Sequence, residues 1–335
     1  MGINPASQHM KTQEVIEMWL MRKFNLSRLL QAVLLAALVS PSGVVAQDGG
    51  IEVLAGHTIF ESGARISLSH LYSSRGTLSS GSDEVPNPDS LSLREHRIVL
   101  GVNYGLSSDL SLSLLLPYVR REGKLPGPDA GGVESSSEGL GDAALLGKYN
   151  FFSEYWKQSA FHISAIGGLE LPTGSSNERS GDELLAFSMQ PGSGSLDAIG
   201  GLALTLSTGR FRFDAHAIYK ANSEGSEDFT DGDFFTLGSS FAYRFYHARY
   251  PGPSANVKVG LSWRHEAVDE YGGEVLQNTG LEELRVRAAL VYHPSPEIDL
   301  VALVEVPVHG DYRAAPGAGQ LALDVRTFFG FGIRF

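Results

Sequence analysis

From about residue 63 onward, oily and polar side chains alternate along the chain. Phe211, Phe213, Ala215, Ala217 and Tyr219 share one parity, while Arg212, Asp214, His216, Lys220 and Asn222 share the other. A period of two puts each set on its own face of a β-strand. The pattern recurs with Phe235, Leu237, Phe241, Tyr243 and Phe245 against Arg244, and with Val257, Val259, Leu261 and Trp263 against Lys258, Arg264 and Glu266. Leu284, Val286, Ala288, Leu290 and Tyr292 likewise oppose Glu283, Arg285, Arg287 and His293. The alternation predicts about twelve strands of about ten to fourteen residues, the length of a tilted transmembrane strand. They fall at 63–73, 91–104, 109–121, 139–152, 159–172, 195–208, 211–222, 234–247, 255–266, 280–293, 298–309 and 319–335.

The connections alternate too. Those after even-numbered strands are short, with cores such as GLSSD, TGR and PSPE, whereas those after odd-numbered strands are mostly longer and acidic, as in SEGSEDFTDGD. Short turns on one side and long loops on the other are the habit of an outer-membrane barrel, and put both termini in the periplasm. The last strand must then close on the first, near Gly63–Ser74, which places Asp324 and Arg326 on the lumen wall beside Arg65.

Charge placement identifies the solvent. A charge facing lipid near the bilayer midplane costs about 2–4 kcal/mol, and mid-strand charges here keep to one parity. Glu282 and Arg120 break it, both near the outer ends of strands where the cost is small. A soluble β-sandwich or propeller also alternates. Tyr72, Tyr104, Tyr118, Tyr149, Phe151 and Tyr292, toward strand ends, fit an aromatic girdle better than a sandwich core. The chain ends on Phe335 in an oily strand, resembling the C-terminal signal that the barrel assembly machinery reads. The expected fold is all-β, a transmembrane antiparallel up-and-down β-barrel over 63–335.

Upstream, Arg22, Lys23 and Arg28 precede an apolar run from Leu29 to Val39 and the small-residue site Val44-Val45-Ala46, the layout of a secretory signal peptide. The expected division is an upstream extension over 1–20, a signal peptide over 21–46 starting at Met21, and a periplasmic N-terminal segment over 47–62. Residues 1–46 hold four basic and two acidic residues; without them 22 basic face 36 acidic, a net of −14. An acidic chain without basic tracts is a poor nucleic-acid binder. The absence of cysteine removes disulfides, thiolate metal sites and cysteine catalysis.

The stretch GLGDAALLGKYNFF from Gly139 to Phe152, followed by FHISAIGGLELPTGSS from Phe161 to Ser176, resembles paired strands of the outer-membrane transporters named after the meta-cleavage (MetA) pathway of phenol degradation. LSLLLPYVRR around Pro117 is similar to that family's preceding strand. The resemblance implies a barrel that admits small hydrophobic or aromatic compounds, and no catalytic residues. From the residues themselves, Pro117, Pro172 and Pro307 lie toward the outer ends of odd strands, where a missing donor is tolerated. They are expected to end or bend the strand at the rim, shaping a mouth or only stopping the pairing.

The inward parity carries Lys148, Glu170, Arg212, Asp214, Arg244, Lys258, Arg264, Glu266, Glu283, Arg285, Arg287, Asp324 and Arg326, with Arg97, Asp142, Asp197, Lys220 and Glu305 beside them. Opposite charges in a confined interior pair and brace the wall. Lys258, Arg264, Arg285 and Arg287 form an anion-favouring patch if Glu266 and Glu283 do not neutralise it. Residues 47–62 are a candidate plug. The apolar LLAFSM in the third long loop is a candidate to fold inward or to form a docking site. His70 and His265, on the lipid parity near outer ends, would suit a lipid-modifying hydrolase, but no nucleophile motif adjoins either. His162 and His216 read as wall residues rather than metal ligands. The acidic run Glu224, Glu227, Asp228, Asp231 and Asp233 lacks calcium-loop spacing. The expectation is a bacterial outer-membrane barrel, not an enzyme and without cofactor or metal, for passive uptake or binding of small hydrophobic compounds. Its partners would be membrane lipid, lipopolysaccharide and the assembly machinery. A closed-lumen structural or surface-interaction barrel is the alternative.

Overall fold

Twelve antiparallel strands pair in chain order, and the last closes on the first. The computed structural model describes residues 55–126, 132–315 and 317–335; the expected extension, signal peptide and residues 47–54 lie outside them. The barrel strands are β1 (Ala64–Ser80), β2 (Ser92–Gly105), β3 (Leu110–Pro126), β4 (Ala143–Trp156), β5 (Ser159–Leu171), β6 (Asp197–Thr208), β7 (Phe211–Ala221), β8 (Phe234–His247), β9 (Ser254–Glu266), β10 (Leu281–Ser295), β11 (Ile298–Tyr312) and β12 (Gln320–Arg334). Short turns join β2 to β3, β4 to β5, β6 to β7, β8 to β9 and β10 to β11 on the side where both ends of the barrel lie.

Alternation becomes a two-faced wall. Leu68, Leu100, Leu145, Leu202, Val259 and Leu290 point outward and are exposed, while Arg65, Asp214, Lys258, Glu283 and Arg285 are buried inward. In water so many exposed apolar side chains would be costly; in a bilayer they are the favourable surface. The protein therefore resides in the bacterial outer membrane as a closed barrel. Arg120, paired with Glu122 at 2.5 Å, and Glu282, paired with His265 at 3.1 Å, are exposed outside the wall toward its outer end.

The seam runs from Arg65 opposite Arg334 to Ser79 opposite Gln320. The terminal Phe335 donates its N–H to Ala64 and accepts the N–H of Ala64 in return. Closure follows the sequence, but one placement does not: Asp324 and Arg326 lie at the other end of β1 from Arg65. Arg326 faces Ser73 and Asp324 accepts the Thr77 hydroxyl at 2.8 Å, whereas Arg65 pairs with Asp299 at 2.7 Å. A strand some 15 residues long carries its two ends across the whole membrane.

Two of the three prolines do not end their strands. β3 runs on from Pro117 to Pro126, and β11 from Pro307 to Tyr312; only Pro172 directly follows the end of a strand, Leu171. At Pro117 the neighbouring strand is the interrupted one. Gly132–Leu140 continues β4 outward along β3, and Gly141 and Asp142 break it. At Pro307, β11 has left β12 beyond Glu305, and a bulge lies against β10 between Arg285 and Leu284. A proline in mid-strand is tolerated where a partner has stopped asking for its N–H.

Candidate functional site

The Gly-Leu-Gly-Asp and Leu-Pro-Thr-Gly motifs meet at the break in β4. Asp142 accepts the Gly174 N–H at 2.8 Å, the Ser193 N–H at 2.6 Å and the Ser193 hydroxyl at 2.9 Å. A Cβ on Gly174 would stand 2.7 Å from the Gly141 carbonyl carbon, so only glycine lets the two backbones cross. The junction starts the long loop 172–196 on an inward course. Met189 and Leu185 of LLAFSM are buried, and the ring of Phe187 stacks on Phe229 of the next long loop at 4.0 Å. Phe229 in turn pairs with Tyr271 of the loop after β9. Three loops thus roof an outer vestibule of about 570 Å³. In the third of them burial raises the Asp269 pKa to about 7, against the bond it accepts from the Gly232 N–H, with Asp231 and Glu266 adding to the rise.

Beneath the roof the wall is divided. Val99, Leu115, Leu146, Ile166, Ile199 and Ile218, from β2 to β7, form one buried apolar cluster facing inward. The charged residues occupy the remaining arc and the rims. Near the outer end Lys220 bonds Glu170 and Asp197, and Arg264 bonds Glu266 at 2.5 Å. Glu305 sits in the middle with Arg285 at 3.0 Å, Arg287 at 3.2 Å and Arg326 at 3.2 Å, while Arg285 and Tyr312 also hold Glu283. Lower down, Asp214 takes Arg212 at 2.8 Å, Lys258 at 3.2 Å and the Thr205 hydroxyl at 2.6 Å. Arg244 donates to the Gly209 carbonyl at 2.7 Å. The expected patch of Lys258, Arg264, Arg285 and Arg287 is therefore divided by depth, and carboxylates neutralise its three arginines.

The segment before β1 runs inside this wall. The Gly56 N–H donates to Thr205 at 2.9 Å, and its carbonyl accepts Asn150 at 2.9 Å and Ser164 at 2.5 Å. Lys148 reaches the Ala55 carbonyl at 3.1 Å, and Arg212 approaches His57 at 3.4 Å. Against β4 to β7 the segment fills the periplasmic half. Beside it an inner cavity of about 340 Å³ remains, lined by His57 of the segment, Ser207, the turn at Gly209 and Arg210, and residues of β1 and β7 to β12. His216, Ser262, Arg287 and Glu305 line neither cavity, and form a belt between them.

Sequence reasoning missed the apolar wall, whose signal was apolar residues on both parities, as at Leu114, Leu115 and Leu116. It also missed Phe328, a buried ring on the inward parity, and Arg210 of the turn after β6, which lines the inner cavity. The two histidines do not form a site. His70 contacts His96 at 3.2 Å, His265 contacts Glu282 at 3.1 Å, and three strands separate β1 from β9 on the shorter way round. Among the described residues no three His, Asp or Glu side chains gather as a metal site would require.

A family model described as "Putative MetA-pathway of phenol degradation" matches residues 93–320. Among solved structures, the COG4313 outer membrane channel from Pseudomonas putida F1 is 16% identical, covering 88% of this chain and 100% of that one, with a TM-score of 0.62. The β domain of the Bordetella autotransporter BrkA is 13% identical, covering 82% and 100%, with a TM-score of 0.46. The CymD monoaromatic hydrocarbon channel is 10% identical, covering 83% and 89%, with a TM-score of 0.36. None of these neighbours is described as an enzyme, and no curated protein matches the chain.

Proposed function

Since the chain belongs to the family described as "Putative MetA-pathway of phenol degradation", we propose that it is a non-enzymatic outer-membrane barrel for passive entry of small hydrophobic or aromatic compounds. The apolar cluster from Val99 to Ile218 carries the reading. Its side chains pack on one another and line neither cavity, so an oily molecule would meet this apolar arc once the plug yields, and a purely structural charge network would not need it. The segment Ala55–Ser62 acts as a plug that yields, because it is held by a few hydrogen bonds rather than by strand pairing. Phe335 is the residue read by the assembly machinery, and the acidic outer loops meet lipopolysaccharide through divalent cations.

Uptake of a radiolabelled monocyclic aromatic by intact cells tests the passage, since lipopolysaccharide is then the barrier. Expression of the protein should raise the initial rate, and Leu115→Asp with Ile218→Asp should abolish the gain while heat-dependent gel mobility still reports a folded barrel. A rate indifferent to the pair sinks the proposal. The ion-paired belt around Glu305 favours the second reading, a closed-lumen structural barrel, which predicts no added uptake even for the wild type.

A further inference from the structure

The inner cavity has a chemistry that passage of neutral hydrophobes does not explain. Arg65, Arg210, Arg212, Arg244, Lys258 and Arg334 line it, and among the described lining residues Asp299 is the one carboxylate. Among the described residues two carboxylates, Asp299 and Asp214, serve four of these cations. Arg65 and Arg334 both bond Asp299, at 2.7 and 3.5 Å, and Arg212 and Lys258 share the inward-facing Asp214 beside the cavity, at 2.8 and 3.2 Å. Arg244 is anchored on the Gly209 carbonyl, and among the described residues no carboxylate pairs with it or with Arg210. Cations crowded in a cleft with low-dielectric walls focus a positive potential and concentrate anions.

The same cavity is not polar throughout. Phe328, Val291 and Ala242, all buried on the inward parity, line it together with Val301. A carboxylate finds guanidinium partners, and an apolar body attached to it finds a ring and two valines within one space of about 340 Å³. Inorganic anions would leave the apolar part unused, and neutral hydrophobes would leave Arg210 and Arg244 with no carboxylate among the described residues.

We propose that the inner cavity binds small organic anions, carboxylates carried on an aromatic ring or a short apolar chain, before they leave for the periplasm. This deepens the passage reading by naming a permeant class, and draws its biological meaning from it. Its test is nevertheless an equilibrium one, independent of flux.

Purified full-length protein in neutral detergent is titrated calorimetrically with benzoate, benzyl alcohol and inorganic phosphate. Benzoate should bind, with affinity falling as salt rises, and the other two should bind at least about tenfold more weakly. Arg210→Gln with Arg244→Gln, which breaks no ion pair among described residues, should weaken benzoate by about tenfold and keep heat-dependent gel mobility. If the double variant does not fold, Arg244→Gln alone is measured against the same expectation. Equal binding of benzyl alcohol, stronger binding of phosphate, no benzoate binding, or affinity unchanged in the folded variant each overturns the proposal. Flux can fail in cells while benzoate still binds, so the two readings fall separately.

Discussion

Replacing Glu305 by Gln removes one charge from mid-lumen and leaves three guanidinium groups facing one another. Arg285, Arg287 and Arg326 lie 3.0, 3.2 and 3.2 Å from its carboxylate, whose side chain is 5% exposed. At an effective dielectric near 20, each contact at about 3 Å supplies about 5 kcal/mol of attraction before desolvation is counted. The glutamine keeps the shape, and Arg285 keeps Glu283; Arg287 and Arg326 lose the carboxylate they share among the described residues. Because the cations stay desolvated after the anion is gone, the net loss should be about 3–5 kcal/mol. Urea unfolding in lipid vesicles, followed by the emission of Trp156 and Trp263, measures it. Arg120→Gln is the control. Its pair with Glu122 is as short, yet both side chains are about half exposed, so water and salt take over the interaction and the midpoint should hold. If E305Q moves the midpoint no further than R120Q, the belt is not a structural ion network, and the reasoning fails.

The loop junction and the outer roof give further expectations. Asp142→Ala deletes three hydrogen bonds to a carboxylate and should cost at least about 1.5 kcal/mol. Limited proteolysis should then cut within 172–196, and an uncut loop would contradict the anchoring role. Gly174→Ala should give the same cleavage, because its Cβ would collide with Gly141 backbone. Asp269 lies in an outer loop with its pKa raised from the ordinary 3.8 to about 7. A raised carboxyl favours the folded, protonated loop: its contribution is full below about 3.8 and is lost as pH climbs through about 7. Carboxyl NMR should find a midpoint near 7, and the loop should resist protease better at pH 5 than at pH 8, a difference Asp269→Asn removes; a midpoint below 5 would refute the burial argument.

Fold legibility was set by what lipid punishes. Within the membrane an outward charge is expensive, so Arg212, Asp214 and Lys220 had to share a parity, and strand faces and count could be read from that constraint, with turn alternation and closure following from the connection lengths. Above the membrane the penalty lapses. β1, β3 and β11 continue there beyond their expected ends, and Arg120 and Glu122 stand outside the wall without cost. The prolines were legible only in part for a related reason: Pro172 follows a strand end and Pro307 sits at a bulge where pairing with β12 has stopped, but β3 runs on past Pro117. Whether a missing N–H matters depends on the partner strand, and nothing in the residues around Pro117 says that Gly141 and Asp142, about 25 positions later, interrupt that partner.

The lumen was legible by side but not by depth. Parity placed Lys258, Arg264, Arg285 and Arg287 on one inner face, yet depth gives Arg264 to Glu266, Arg285 and Arg287 to Glu305, and Lys258 to Asp214 on another strand. Pairing across a barrel depends on strand stagger, which alternation leaves open. Inward apolar residues were hidden by the same logic in reverse. Leu115 violates nothing that lipid enforces, so it reads as part of an oily strand, although an aqueous wall would have no use for it. Two-parity apolar runs in a barrel therefore carry information about the lumen rather than the bilayer. Here they fall on β3 to β6, with Leu115, Leu146, Ile166 and Ile199 pointing inward. Those side chains pack on one another and line neither cavity, so on that arc the wall itself fills the lumen, while on the opposite arc the charges paired at Glu305 close it between the two cavities.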